Sequence, residues 1–304
     1  MAESGDLKAS NVGPAGIEIA YRRHGNPDAP AVLLIMGVAA QLIHWPDTFC
    51  ETLADSGLQV IRFDNRDSGH STHLHNAPAP NLPAVLAGDL SSASYTLSDM
   101  AADAAGLLDA LGIARAHVVG ASMGGQIAQT MAIEQPGRVR SLVSMMSSTG
   151  NMQVGQPAPE VLRGLFSGGP PVTREDVIQM MVRAARVIGS PAYPVDEDQA
   201  AVRAGRAYDR SYDPIGTARQ AVATVASGDR TERLRGLKVP ALVIHGLADR
   251  MVDVSGGRAT AEAIPGAELL LIEGLGHDFA LGLEPSLAER IAKFVRTCEK
   301  GYSL

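Results

Sequence analysis

The stretch HVVGASMGGQIAQTMA, residues 117–132, decides the fold. It opens on a short β-branched run, turns through glycines and continues with helical apolar spacing, so Ser122 stands on a strand-to-helix corner between Gly120 and Gly124. A serine on so tight a corner holds a strained backbone, and a side chain two residues away on either side would collide with it. Glycine removes the clash. The helix beginning near Met123 aims its N-terminal N–H groups and positive dipole end at any oxyanion forming beside Ser122. A glycine-rich turn without chemistry is the plain alternative, and the strand before and the helix after argue against it. Two nucleotide-loop readings fail on residues: Ser122 sits where G-x-G-x-x-G needs its second glycine, and no Gly-Lys-Ser/Thr follows.

Outward from this corner the same alternation repeats. Residues 31–35 (AVLLI), 60–63 (VIRF), 139–144 (VRSLVS), 241–245 (ALVIH) and 269–272 (LLLI) are largely apolar, as strands buried on both faces of a parallel sheet should be. Residues 17–21 (IEIAY) alternate and read as a half-exposed antiparallel edge strand. Thr96 and Asp99 have capping-box spacing ahead of a helical pattern that runs from Leu97 to Leu111 and stops at Gly112. From 149 to 235 the alternation breaks: prolines stand at 157, 159, 170, 171, 191, 194 and 214, helical patches such as 174–188 appear, and no buried strand is evident. The expected organisation is an α/β core of residues 1–148 and 236–304, with a mostly helical cap inserted at 149–235.

Composition excludes several function classes. With 45% hydrophobic and 19% charged residues the chain is neither disordered nor fibrous. Its 26 basic and 33 acidic residues give a formal charge of -7, so no summed positive field exists to neutralise phosphates, and nucleic acid is not an expected partner. Cys50 and Cys298 fit neither CxxC nor metal-ligand spacing and read as free thiols; no metal site is expected. The N-terminus lacks an apolar h-region, and the longest apolar run, 31–40, is half of what a bilayer span requires. The expectation is a cytoplasmic protein without an integral membrane segment, for which an apolar cap leaves weak lipid contact open.

A serine hydroxyl needs a base to take its proton and a carboxylate to orient that base. Of the eight histidines only His245 and His277 follow Ser122. His245 closes a strand and reads as packed there, whereas His277 lies in EGLGHDF, a glycine-containing loop beyond the last strand, and is the candidate base. The acid should come from a loop at the C-terminal end of a strand. MMSSTGN, after 139–144, has no carboxylate, while GLADRMVD, after 241–245, offers Asp249 and Asp253. Asp249 lies closer to the sheet and is the candidate, and Asp253 is placed to cap the next helix. Asp278 adjoins His277 and reads as solvated. Two backbone donors should meet the developing negative charge: the N–H of Met123, and that of Val38 in the Met36-Gly37-Val38 turn after the first buried strand.

Together, Gly120-Ala121-Ser122-Met123-Gly124, the Asp249 loop HGLADRMV and the His277 loop GLGHDF resemble the α/β-hydrolase superfamily, across most of the chain except the cap. FDNRDSGHS, residues 63–71, is similar to the superfamily's D-x-R-x-x-G-x-S loop. IMGVAAQLIHWP, with Met36-Gly37 where many relatives have His-Gly, resembles the aclacinomycin-methylesterase-like branch. Mycobacterial lipase-like esterases with phospholipase and thioesterase activity have a similar FDNRD loop. The resemblance implies an α/β-hydrolase fold with Ser122 as nucleophile, His277 as general base, Asp249 as orienting acid, and Val38 with Met123 as oxyanion hole.

The expected function is hydrolysis of a small-molecule carboxylic ester through an acyl-enzyme on Ser122, with no cofactor. Leu162, Leu165, Phe166, Ile178, Met180, Met181 and Val187 suggest an apolar acyl or alcohol group, or else simply pack the cap onto the core. A thioesterase, a phospholipase or a cofactor-independent perhydrolase would use the same three residues. A receptor built on this fold would close on a ligand without sustained turnover. The sequence leaves the oligomeric state open.

Overall fold

Each apolar run becomes a strand, and each longer alanine-rich segment a helix. The computed structural model describes residues 5–166, 171–193 and 195–302. In chain order the elements are β1 (Leu7–Val12), β2 (Ile17–His24), β3 (Ala31–Ile35), α1 (Asp47–Asp55), β4 (Gln59–Phe63), α2 (Leu82–Leu86), α3 (Leu97–Ala110), β5 (Ala116–Ala121), α4 (Met123–Glu134) and β6 (Val139–Met145). There follow α5 (Pro159–Phe166), α6 (Arg174–Ile188), α7 (Glu197–Arg210), α8 (Pro214–Ala226), α9 (Thr231–Leu234), β7 (Ala241–Gly246), α10 (Val254–Ala263), β8 (Glu268–Ile272) and α11 (Glu284–Tyr302). Pro170, Pro194 and the side chains of Leu162, Leu165 and Phe166 lie outside the described residues.

The strands form one sheet in the order β1-β2-β4-β3-β5-β6-β7-β8. From β4 to β8 neighbours run parallel, and β2 is antiparallel to both β1 and β4. The register brings the strand C-termini level: Ile35 faces Gly120, Ala121 faces Met145, Met145 faces Ile244 and Gly246 faces Ile272. All loops that follow these strands therefore open on one rim of the sheet, where ligands of open α/β sheets bind.

Alternation along the central strands feeds two cores. Leu33 and Ile35 pack with Met100, Leu107, Ile127 and Met131 of α3 and α4 on one face. Val32 and Leu34 pack with Phe49, Leu53, Leu287, Ile291 and Val295 of α1 and α11 on the other. At the start of α3, Asp99 accepts from the backbone N–H and the hydroxyl of Thr96, the cap read from sequence.

Two strand expectations need correction. Residues 17–21 do begin an antiparallel strand, but β1 pairs outside it, with Leu7 opposite Tyr21, so β2 is not the edge. The LKASNV of β1 carries no clear alternation; the free ladder groups of β2 make it a strand. At the opposite edge β8 is apolar yet part-exposed, with Leu269 40% accessible, because no strand covers its outer side. Both cysteines are buried and free, and burial pushes the Cys50 thiol up to about 12. Among the described residues no helix is long and apolar enough to cross a membrane.

Candidate active site

Ser122 directly follows β5 and holds φ 57° and ψ -123°, a left-handed backbone that costs a non-glycine residue on the order of 1–3 kcal/mol. The neighbouring glycines permit it by close approach. A Cβ on Gly120 would lie 2.0 Å from the Gly124 carbonyl oxygen, and one on Gly124 would lie 2.0 Å from that of Ile35. The Ser122 N–H donates to Met145 O at 3.0 Å, and its carbonyl accepts from Ser147 Oγ at 2.8 Å. The corner is thus tied to β6, and the hydroxyl stands above the sheet rim.

Three distant side chains meet there. His277 Nε2 lies 3.1 Å from Ser122 Oγ, and His277 Nδ1 lies 2.8 Å from Asp249 Oδ2. Asp249 is fully buried as a side chain, and its other oxygen accepts from the N–H groups of Met251 (2.9 Å) and Val252 (2.8 Å). Burial alone would raise its pKa. The charge of His277 and the hydrogen bonds from His245, His277 and Val252 N–H outweigh burial and hold the carboxyl well below the usual range. Asp253 caps α10 by accepting from Ser255 N–H, as its spacing suggested.

His245 is fully buried at the end of β7, but packing is not its whole role. Its Nε2 donates to Val252 O at 2.8 Å and stands 3.4 Å from Asp249 Oδ2, so a second imidazole braces the carboxylate loop. Its position four residues before Asp249 was the available signal.

The loop after β3 passes directly over the serine: a Cβ on Gly37 would stand 2.9 Å from Ser122 Cβ and 3.4 Å from Oγ. Met123 is the first residue of α4, so its N–H has no acceptor within the helix. The Val38 N–H has no acceptor among the described residues. Residues 64–71 support this loop. Asn65 Nδ2 donates to Met36 O at 2.9 Å, Asp64 accepts from Leu42 N–H at 2.6 Å and Ser68 Oγ donates to Ala40 O at 2.8 Å. Apart from exposed His70 these residues are nearly wholly buried, although the sequence is as polar as an exposed turn.

The histidine loop is held by the end of α6. His277 N–H donates to Ile188 O at 2.8 Å, and Gly276 N–H donates to Ser190 Oγ at 2.8 Å, which in turn donates to Asp278 Oδ1. Asp278 is therefore not a solvated neighbour: burial raises its carboxyl pKa, against the hydrogen bonds from Ser190, and it closes a clamp on the loop. Phe279 anchors the same loop in a ring cluster, with centroids 5.0 Å from Trp45 and 5.7 Å from Phe49.

Among the described residues one group, Asp67, His73 and Asp213, gathers metal-type ligand atoms within 4.8 Å of one another. A guanidinium already supplies the positive charge: Arg219 contacts Asp67 at 2.8 Å and lies 3.8 Å from Asp213, while His73 pairs with Asp213 at 2.7 Å. The cluster is an ion-pair network.

Comparison with known proteins agrees with this architecture. The family described as alpha/beta hydrolase fold matches residues 30–281. Rhodomycin D methylesterases of Streptomyces sp. (strain C5) and Streptomyces peucetius are each 29% identical over 297 residues, covering 90% of this chain and 93% of the relative. The crystal structure of the enol-lactonase from Burkholderia xenovorans LB400 superposes with a TM-score of 0.71 at 23% identity, over 95% of this chain and 100% of that one.

Proposed function

Because this chain belongs to the alpha/beta hydrolase fold family, we propose that it hydrolyses carboxylic esters, with Ser122 as nucleophile, His277 as general base and Asp249 as the acid that orients it. The observation that carries this reading is the unbroken line from Ser122 Oγ through His277 to Asp249, 3.1 and 2.8 Å long. Both spacings suit proton transfer and orientation. Similarity to methylesterases along nearly the whole chain supports an ester as the substrate.

In this mechanism Ser122 Oγ attacks the ester carbonyl carbon as its proton passes to His277 Nε2. The carbonyl oxygen becomes an oxyanion facing the N–H groups of Val38 and Met123. Collapse breaks the bond to the alcohol oxygen, which leaves with the proton from His277. Water then attacks the acyl-enzyme, His277 takes the water proton, and the acid is released with Ser122 restored. Buried Asp249 stays ionised and stabilises the transient imidazolium. Residues 149–235 act as the cap over this rim and line the substrate pocket. Ile178 and the part-buried Met181 pack in a small cluster between α6 and α7, so these two join cap helices to each other rather than the cap to the core.

A fluorophosphonate probe tests the nucleophile: wild-type protein should be labelled and Ser122→Ala should not, and labelling that persists in the variant would reject the assignment. Sustained turnover of p-nitrophenyl acyl esters would distinguish an esterase from a receptor, which should stop after a single turnover. A parallel panel of thioesters and phospholipids ranks the leaving groups.

A further inference from the structure

The turn that carries Val38 is built against its own sequence preference. Ala40 N–H donates to Gly37 O at 3.3 Å, closing a turn whose third residue, Ala39, sits at φ 63°. That position favours glycine or asparagine, and alanine there is held only if the surroundings impose it. What imposes it comes from the other side of the site. Gln220 of α8 is fully buried, and its Oε1 accepts from Ala39 N–H at 2.9 Å while its Nε2 donates to Arg66 O at 2.8 Å. The peptide unit just before the Val38 N–H is tied through Met36 O to Asn65, and the one just after it is tied through Ala39 N–H to Gln220. Two buried amide side chains thus set the orientation of the peptide between them.

We propose that Gln220 is a positioning residue for the Val38 N–H, so that docking of α8 on residues 64–71 aligns one of the two oxyanion donors. This rests on the ester-hydrolase reading of Ser122. The preceding residue, Arg219, fixes α8 by two contacts to buried Asp67, at 2.8 and 2.9 Å, so Gln220 reaches the turn from a rigid support. Because the donor matters when charge develops on the substrate oxygen, its misalignment lowers kcat and leaves KM nearly unchanged.

The test uses the rate constant for fluorophosphonate labelling, in which the phosphonyl oxygen occupies the oxyanion position, together with kcat and KM on p-nitrophenyl butyrate. Gln220→Met removes both hydrogen bonds at similar volume and should slow labelling and kcat about tenfold or more, against the roughly 100- to 1,000-fold loss typical of an oxyanion donor removed outright. KM should stay within about twofold. Gln220→Glu keeps the acceptor for Ala39 N–H but loses the donation to Arg66 O, so it should recover part of the rate. Gln59→Met, which deletes an equally buried amide bond to Pro27 O, should label like wild type. Wild-type rates in Gln220→Met, or equal losses in the Met and Glu variants, overturn the proposal. Should the Met variant not fold, Gln220→Leu, which is smaller and also lacks both hydrogen bonds, takes its place: a loss of about tenfold or more supports the proposal, and wild-type rates overturn it. A wild-type protein that is never labelled overturns the ester-hydrolase reading and this one together, whereas a slow Gln220→Met beside a labelled wild type bears on the turn alone.

Discussion

Helices α7 and α8 and helices α5 and α6 belong to the same insertion between β6 and β7, yet they meet the core through different chemistry. The α7–α8 half is keyed in by buried polar groups. Gln41 Nε2 donates to Ala207 O and Ser211 O at 2.8 and 2.9 Å, Arg210 pairs with Asp64 at 2.9 Å, and Arg219 pairs with Asp67, both side chains at most 2% exposed. On the α5–α6 half the ion pairs are ones that water screens: Glu160 of α5 with Arg250 of the core, and Arg174 with Asp209 and Arg186 with Glu197, which join α6 to α7 rather than to the core, all about half-exposed. Its firm attachment is at the far end of α6, on the histidine loop. One half behaves as fixed wall, and the other is fastened mainly where it touches the candidate base.

The sharpest way to break this contrast is to remove one arginine from each half. Arg219→Met strands the Asp67 carboxylate in a fully buried position, and stranding one partner of a buried pair typically costs about 3–5 kcal/mol. The urea midpoint should fall accordingly. Arg174→Met dissolves an exposed pair and should leave the midpoint where it is. Equal shifts in the two variants would erase the distinction.

A smaller effect is expected where the thinly held half touches chemistry. Ser190→Ala removes the hydroxyl that accepts from Gly276 N–H and donates to Asp278, so the His277 loop loses two of its hydrogen bonds to the segment that ends α6 and keeps those through Ile188 O and the Ser190 and Ala192 N–H groups. Its kcat on a p-nitrophenyl ester should drop about tenfold, because small displacements of a reacting group are costly. The urea midpoint should move less than in Arg219→Met. An unchanged kcat would mean that Ile188 O and the Phe279 rings hold the loop without the serine.

Legibility in the sequence follows the range of each constraint. Gly120 could be read because its requirement is local: a Cβ there would strike the Gly124 carbonyl four residues on, whereas Gly124 could be read only from its spacing to Ser122, since what it must clear is the Ile35 carbonyl of another strand. The central strands could be read because burial on both faces leaves an apolar run. By contrast β1 is a strand only because β2 offers it a partner, and nothing in LKASNV announces that. Asn65, Ser190 and Gln220 are polar residues whose partners lie 29, 86 and 181 positions away, so their roles exist only after docking. Asp278 misled for the same reason, since its neighbour in sequence is not its partner in space. The density of Asp, Asn, Arg and Ser after Phe63 was a visible sign, but a polar turn in water carries the same letters.

The mildest probe of the fixed half is acid. Asp6, just before β1, is 5% exposed as a side chain and contacts Arg22 at 2.7 Å, His70 at 2.7 Å and Arg210 of α7. Burial opposes ionisation, but the hydrogen bonds and charge of Arg210 with those of Arg22 and His70 prevail, lowering its pKa from 3.8 to about 2. The folded state therefore binds fewer protons than the unfolded state between these values. Its contribution to stability is fully present above about pH 4 and is lost as the pH falls toward 2. Asp6→Asn should lower the urea midpoint at pH 7, and its curve should then approach that of wild type as the pH falls through this window. Glu197→Gln, on the exposed pair between α6 and α7, should give a curve parallel to wild type throughout, because an exposed pair contributes little to stability in either protonation state. Curves of Asp6→Asn and wild type that stay parallel down to pH 2 would show that Arg210 is held by Asp64 and Gln41 alone, and that the tie from the first strand to α7 adds nothing to the fixed half.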